Sequence, residues 1–314
     1  MTGIRNRRSI RTQPKVVIGG GTVVVGYDES REATNALMWA ARYADARGLP
    51  LTVACAAWPT EPVTTAGAGA VETKDLEHRA ARVARRGAGR VAELCPDLKV
   101  RGKGAVGNPA AELIMESSTA SVLVVGRRTA LRANSLGSVS FALGAHSRCP
   151  VVVVPADSPH LVGPGHPVVV GVDGSAASAQ AVTFAADAAA FAGADLLILS
   201  AWIRPAPEPW MCDSAGGLPR AHDAASESGH GAAVQHVRSA AALVHELHPE
   251  VVTLQDVRHG PTASVLLEAS ASAGLLVVGS RGAGGFAGLM LGSVSRAALR
   301  QSEVPLAVVR AGAI

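Results

Sequence analysis

Residues 279–293 read Gly-Ser-Arg-Gly-Ala-Gly-Gly-Phe-Ala-Gly-Leu-Met-Leu-Gly-Ser, between an apolar run and a helix-like stretch. Glycines let the backbone approach a ligand closely, so its N–H groups can point at an anion, and a following helix N-terminus adds partial positive charge. Together these are the parts of a cradle for phosphates. The candidate contacts are Gly279, Gly282, Gly292 and Ser293, with Ser295 as a second hydroxyl donor in the first helical turn. A Lys-Ser/Thr pair is missing, which excludes a Walker A loop, and the strict G-x-G-x-x-G fingerprint is missing too. The alternative is a surface loop whose glycines serve its turns.

The second signal is Asp173, just past the run Val168–Val172 and followed by Gly174-Ser175. If that strand adjoins the one ending at Gly279, the carboxylate and the glycine loop face one crevice. An acid there can accept hydrogen bonds from ribose hydroxyls or help hold a metal. It can equally cap the helix that follows.

Other combinations carry less. His245-Glu246-Leu247-His248 lacks the H-E-x-x-H spacing of a zincin and reads as an exposed helix end. His222, His230 and His236 have no partner carboxylate at ligand spacing, and no metal site is expected. Nothing matches a Ser-His-Asp order, a nucleophile elbow or paired carboxylates, and no base stands ready to activate water on a γ-phosphate. No catalytic residue is assigned, and binding without fast turnover is the expectation.

The elements that must hold these residues occur twice. Val23-Val24-Val25-Gly26-Tyr27-Asp28-Glu29-Ser30 returns as Val168-Val169-Val170-Gly171-Val172-Asp173-Gly174-Ser175, and Leu136-Gly137-Ser138-Val139-Ser140 as Leu291-Gly292-Ser293-Val294-Ser295. The repeat is a whole domain, not a solenoid turn. In the second copy, strands are expected at 168–172, 195–202, 251–257, 275–279 and 305–309. Helices are expected at 176–192, 230–248, 262–272 and 293–301. Ser30 and Ser175 suit N-caps, and Gly48 and Gly193 suit the residue after a helix. Strands apolar at almost every position, alternating with helices, indicate a doubly wound α/β domain with a five-stranded parallel sheet and helices on both faces. Such a fold binds ligands beyond the carboxyl ends of its strands. The expected division is a basic tail (1–18), domain 1 (19–156), a Pro/Gly-rich linker (157–166) and domain 2 (167–314). Residues 205–229 read as a long loop, either a lid or a disordered insert.

At this point the residues resemble a family. Gly279-x2-Gly282-x9-Gly292-Ser293 matches, without a gap, the nucleotide signature of universal stress proteins, and the early Asp and the closing apolar strand fit the same pattern. The resemblance covers both copies. It implies the strand order 3-2-1-4-5 and ATP, with or without Mg²⁺, at the switch point between strands 1 and 4. The glycines and Ser293 would then hold the phosphates, Asp173 would sit at the nucleoside, and the backbone near Ala201 would contact adenine. Pairing through the last strands, 150–154 and 305–309, is implied either between the two copies or in a homodimer.

Copy one departs from that pattern. Asp28, Ala57, Gly126, Gly137 and Ser138 keep their places, but Arg127, Arg128 and Thr129 follow Gly126, with Thr129 where the second glycine belongs. The loop is also shorter. Arg127, Arg128 and Arg132 either supply charge to phosphates or are solvated loop arginines. Nucleotide in copy one is the weaker expectation.

Composition narrows the partners. The 314 residues carry 29 basic and 25 acidic side chains, a net charge of +4, but five of the basic ones and no acid fall in residues 1–15. Residues 16–157 hold 16 basic and 13 acidic residues, and residues 158–314 hold 8 and 12, so the half with the better phosphate loop is net acidic. Ten aromatic residues are too few for a base-stacking surface, and no apolar run approaches the roughly 20 residues of a membrane helix. Neither nucleic acid nor membrane is expected. Arg7-Arg8-Ser9 opens no clean export signal, and four unpaired-looking cysteines suit a reducing cytoplasm. Arginine outnumbers lysine 25 to 4, a bias of GC-rich genomes such as those of actinobacteria.

Overall fold

The computed structural model describes residues 21–58, 68–127, 138–157, 161–204, 220–284 and 290–312. The first half runs β1 (Thr22–Gly26), α1 (Arg31–Arg47), β2 (Leu51–Ala57), α2 (Ala68–Leu94), β3 (Val100–Val106), α3 (Pro109–Glu116), β4 (Ala120–Gly126), α4 (Ser138–His146) and β5 (Val151–Val154). The second repeats it as β6 (Val168–Gly171), α5 (Ala176–Ala192), β7 (Leu196–Trp202), α6 (Arg220–Leu247), β8 (Thr253–His259), α7 (Thr262–Ala269), β9 (Leu275–Gly279), α8 (Ser293–Gln301) and β10 (Leu306–Val309).

All ten strands join one sheet in the order β3-β2-β1-β4-β5-β10-β9-β6-β7-β8. Each half therefore has the order 3-2-1-4-5, parallel throughout. The halves meet through antiparallel β5 and β10, with Val152 opposite Ala307. The last strands thus pair within the chain. Each has two neighbours, so neither offers an edge for a homodimer of that kind, and the sheet ends instead at β3 and β8.

The strands are apolar on both sides because both sides are covered. Val23, Val24 and Val25, like Val168, Val169 and Val170, expose no surface. One core lies under α1, α2, α5 and α6, the other under α3, α4, α7 and α8. Burying a valine or leucine fully contributes about 1.5–3 kcal/mol. Both cores run across the seam: Trp39 stacks on Tyr43, with centroids 5.0 Å apart, and Tyr43 on Phe184 of the other half at 6.3 Å.

Local signals close the helices as expected. Ser30 and Ser175 accept hydrogen bonds from the amides of Ala33 and Ser178, and Gly48 and Gly193 end their helices at φ 62° and 60°. Three expectations move, the first at α7, which ends at Ala269 with Ser270 as its cap rather than at 272. Strand β8 begins at Thr253 rather than 251, because Val251 packs on the core from the preceding turn instead of entering the ladder. Residues 220–229, expected as loop, are the first turns of α6. A Cβ at Gly229 or Gly231 would meet nothing within 4 Å, so these glycines sit on an open helix face where no packing demand interrupts the winding. Residues 205–219 of that expected loop lie outside the described residues.

Candidate functional site

Parallel β6 and β9 are neighbours, with Val170 opposite Val277, so their carboxyl ends finish side by side. Chain winding reverses there, and a cleft of about 390 Å³ opens. Asp173, Ala201, Gly279, Gly282, Gly292, Ser293 and Ser295 all line it.

Asp173 is a tie rather than a cap. Its Oδ1 accepts from the Ser175 amide at 3.0 Å, and its Oδ2 from the Ala283 amide at 2.8 Å, linking the end of β6 to the glycine loop. Burial works to raise its pKa, but hydrogen bonds from Ser175 and Ala283 outweigh it and hold the carboxyl below the usual range. The cap is Ser175, whose hydroxyl also lies 3.4 Å from the Arg281 carbonyl. Gly282 is glycine for a visible reason: a Cβ there would run into Asp173 Oδ2. At Gly279 a Cβ would come within 3.0 Å of the Ala177 carbonyl carbon. Gly174, at φ 77°, lies under His236, whose Nε2 would stand 2.6 Å from a Cβ.

The loop neck is drawn shut around Ser280. Its amide donates to the Val309 carbonyl at 2.7 Å, while its own carbonyl accepts the Gly292 amide at 2.8 Å and the Ser295 hydroxyl at 2.9 Å. Two expectations need correcting here. Ser295 is buried and donates its proton to the backbone, so it braces the loop instead of offering a donor to the cleft. The Gly292 amide is likewise spent on the neck. Gly292 brings no side-chain cap to α8, and Ser293 and Val294 of its first turn line the cleft, the end of a helix that favours an anion.

Several lining residues were not anticipated. Thr262 and Leu266 arrive on α7, and Arg281 and Arg296 bring two cations to a half whose net charge is negative. The place of Thr262, just past the carboxyl end of β8, was the available signal. Beyond Ala201, the Trp202 ring meets His259 edge-on at 4.8 Å and His230 at 5.5 Å.

In the first half, Asp28 accepts from the Ser30 amide at 3.1 Å and from its hydroxyl at 2.6 Å. Glu29 stands where the second half has Gly174, with φ 67°, and both its oxygens are held by Arg86 at 2.6 and 2.8 Å. A Cβ on Gly126 would run into the backbone of Glu32. Ala57 ends β2 and accepts the Gly107 amide at 2.9 Å. Arg127, expected at a phosphate, turns to the other half: its Nη1 donates to the Arg300 carbonyl at the end of α8, 3.2 Å away. Burial lowers its pKa. Arg128, Thr129, Arg132 and Gly137 lie outside the described residues, and of Ser138 only its place at the start of α4 is described.

Two tandem halves of strand order 3-2-1-4-5 in one sheet, with a glycine loop tied to an acid-bearing turn in the second, agree with what comparison finds. The universal stress protein family profile matches residues 21–155 and 165–310. The chain belongs to the universal stress protein family. It is 33% identical over 301 residues to universal stress protein Rv2005c of Mycobacterium tuberculosis, covering 92% of this chain and 96% of that one. Universal stress protein Rv2623 of the same species is 32% identical over 302 residues, with the same coverage. Among solved structures, a universal stress protein from Archaeoglobus fulgidus superposes with a TM-score of 0.66 at 18% identity, covering 94% of this chain and 100% of that one, which speaks to the fold. Among the described residues, no helix is long and apolar enough to cross a membrane.

Proposed function

We propose that this universal stress protein binds one adenine nucleotide, ATP, in the second-half cleft and acts as a regulatory protein in a stress response, without fast turnover. The observation that carries this is the junction of Asp173 and the glycine loop. One carboxylate holds the Ala283 amide, Gly282 makes room for that carboxylate where a Cβ would collide with it, and the first turn of α8 lines the same cleft. In this reading Gly279, Gly282 and Ser293 take the phosphates by backbone amide and hydroxyl, Gly292 holds the neck, Arg281 and Arg296 add charge, Asp173 reaches the ribose, and Ala201 borders the base. Both Asp173 oxygens already accept an amide, so a Mg²⁺ ion would be held by the phosphates rather than by a protein ligand set. The first half, whose Arg127 is turned away, does not share the load. Adenine nucleotide, and neither nucleic acid nor membrane, is the proposed partner. The cytoplasm, where ATP is abundant and thiols such as Cys55 stay reduced, is the proposed location.

Equilibrium dialysis with labelled ATP and Mg²⁺ tests the proposal, and mass spectrometry of nucleotide released from denatured protein reports identity and number. One nucleotide per chain is expected. No binding at millimolar ATP would overturn it and favour a second reading, a nucleotide-free interaction module. The antiparallel β5–β10 pair motivates that reading, since it shows the fold used as a pairing surface.

A further inference from the structure

The two ends of the sheet, β3 and β8, are built differently. Leu51 and Leu196, the first residues of β2 and β7, stand opposite Val100 and Thr253, so Lys99, Arg101 and Lys103 correspond to Val252, Leu254 and Asp256. Alternate residues share a face, and three cations on one face blunt β3 against pairing with another chain. Strand β8 lacks that protection. It runs regularly from Thr253 to His259 without glycine, proline or lysine. Val252 and Leu254 are 58% and 49% exposed, and Leu247 at the end of α6 is exposed too. The next residue, His248, was expected on an exposed helix end, and instead it turns inward to Asp187, Nε2 to Oδ1 at 2.6 Å.

The backbone groups on the open side of β8 follow from the ladder. The Leu196 amide donates to the Val252 carbonyl and the Gly260 amide to the Trp202 carbonyl, each at 2.9 Å. Residues along a strand turn their backbone groups alternately to one side and the other, so the even-numbered residues from 252 to 260 face β7. Thr253, Gln255, Val257 and His259 turn theirs outward, where the sheet has no further strand. Asp256 and Arg258 share one face of this edge, with Arg258 Nε donating to Asp256 Oδ2 at 2.7 Å.

We propose that β8 docks a second copy of this chain, the two β8 strands pairing antiparallel about a two-fold axis at Val257. Charge selects both the partner and the register. With the axis there, Val257 exchanges backbone hydrogen bonds with its own copy, and Gln255 does so with the second copy's His259. Asp256 then stands opposite the second copy's Arg258 on either side of the axis. These are the positions without backbone bonds, where facing side chains come closest and opposite charges attract. An axis at Asp256 would set two carboxylates face to face, one at Arg258 two guanidiniums, and one at Gln255 would put the acid against Leu254. The ladder stops at Pro261, which has no amide to donate. Strand β3 could not pair in this way, because it carries Arg101 and Lys103 and no acid. An isologous contact of this kind closes after two copies. Antiparallel pairing of strands is also how β5 and β10 join the two halves.

The test is analytical ultracentrifugation of the full-length chain from about 1 to about 200 µM, since so short a pairing lies at the small end of specific interfaces and dissociates on dilution. The mass of the native chain should rise from 31.8 kDa toward twice that value. Asp256→Arg and Arg258→Asp should each weaken association about tenfold or more, because each sets like charges face to face. An equimolar mixture of these two variants should recover the dimer, since every arginine then meets an aspartate. Gln255→Pro, at an exposed position whose amide the fold does not use, should weaken association by a similar factor and leave the circular dichroism spectrum native. A native chain that stays monomeric throughout would overturn the proposal and leave the edge to an extended segment of another protein. So would a dimer that survives Gln255→Pro unchanged, or a mixture of the two charge variants no more associated than either alone.

Discussion

Glu29 and Gly174 occupy the same place in the two halves, one residue past the acid that follows the first strand, and both have positive φ, 67° and 77°. In the second half, glycine takes that backbone conformation freely and leaves room for His236 above it. In the first, a residue with a Cβ takes it at a cost of about 1–2 kcal/mol, while Arg86 holds the Glu29 carboxylate by two hydrogen bonds. The next difference follows the same logic. Ser280 and its counterpart Arg127 both donate their amides to the last strand of their half, but Arg127 also sends a long side chain into the neighbouring half. Where the second half has Gly174 and Ser280, the first spends the charges of Glu29 and Arg127 on internal ties. At these positions the two copies of the fold have diverged, the first toward charged internal ties.

The sharpest way to break that comparison is at the first loop glycine of each half. Gly126→Ala puts a Cβ against the backbone of Glu32 and Ala33, which cannot yield without moving α1. It should destabilise the chain by on the order of 3 kcal/mol. Gly279→Ala meets Ala177 and Ser178 at 3.0–3.1 Å, where a shift of a few tenths of an ångström suffices, and should cost roughly 1 kcal/mol. Urea unfolding of both variants decides it, and equal losses would remove the asymmetry between the halves. Next in size is the acid pair. Asp173→Ala frees the Ala283 amide and unties the loop, and should weaken ATP binding about 10- to 100-fold. Asp28→Ala, bonded to Ser30 in the half whose sequence has Thr129 in place of the second loop glycine, should leave ATP affinity unchanged in the same dialysis measurement.

The acid limb of stability sharpens the comparison further. The pKa of Asp173 is depressed in the fold, so its contribution is present above the unfolded carboxylate value, about 3.9. It is lost as pH falls through the lower, folded value. Asp173→Asn should therefore lower stability at neutral pH and flatten its decline below about pH 4. Thermal melts of the native chain and the variant across that range would show the two curves converging in acid. Curves that stay parallel would remove Asp173 from the linkage.

Strand and helix positions could be read in advance because their signals are local: valine runs, Ser175 before a helix, Gly193 after it. The order of the strands was not local, and it came from family resemblance. What composition and spacing could not reveal is where a side chain goes once the sheet has assembled. Ser295 reads as a donor to a ligand from its place in the first turn, yet the Ser280 carbonyl is closer and takes its proton. Thr262 and Arg296 reach the cleft because β8 and β9 end on the same side, which no spacing along the chain expresses. His248 likewise finds Asp187 across sixty-one positions of sequence.

Arg127 gives the smallest expected effect. Its guanidinium meets the carbonyl end of α8, the favourable place for a cation, and that hydrogen bond and dipole contact contribute roughly 0.5–1.5 kcal/mol. Against this, burial lowers its pKa, and its Nε is enclosed with no hydrogen-bond partner among the described residues, a penalty of similar size. Arg127→Met keeps the apolar stem and removes both contributions, so the urea midpoint should move by less than the equivalent of about 1 kcal/mol. ATP affinity should stay where it was, because the contact is at the last turn of α8 and the proposed phosphate site is at the first. A clear fall in ATP affinity with an unchanged midpoint would mean that α8 transmits the state of one half to the other. The first half would then regulate the cleft rather than merely brace it.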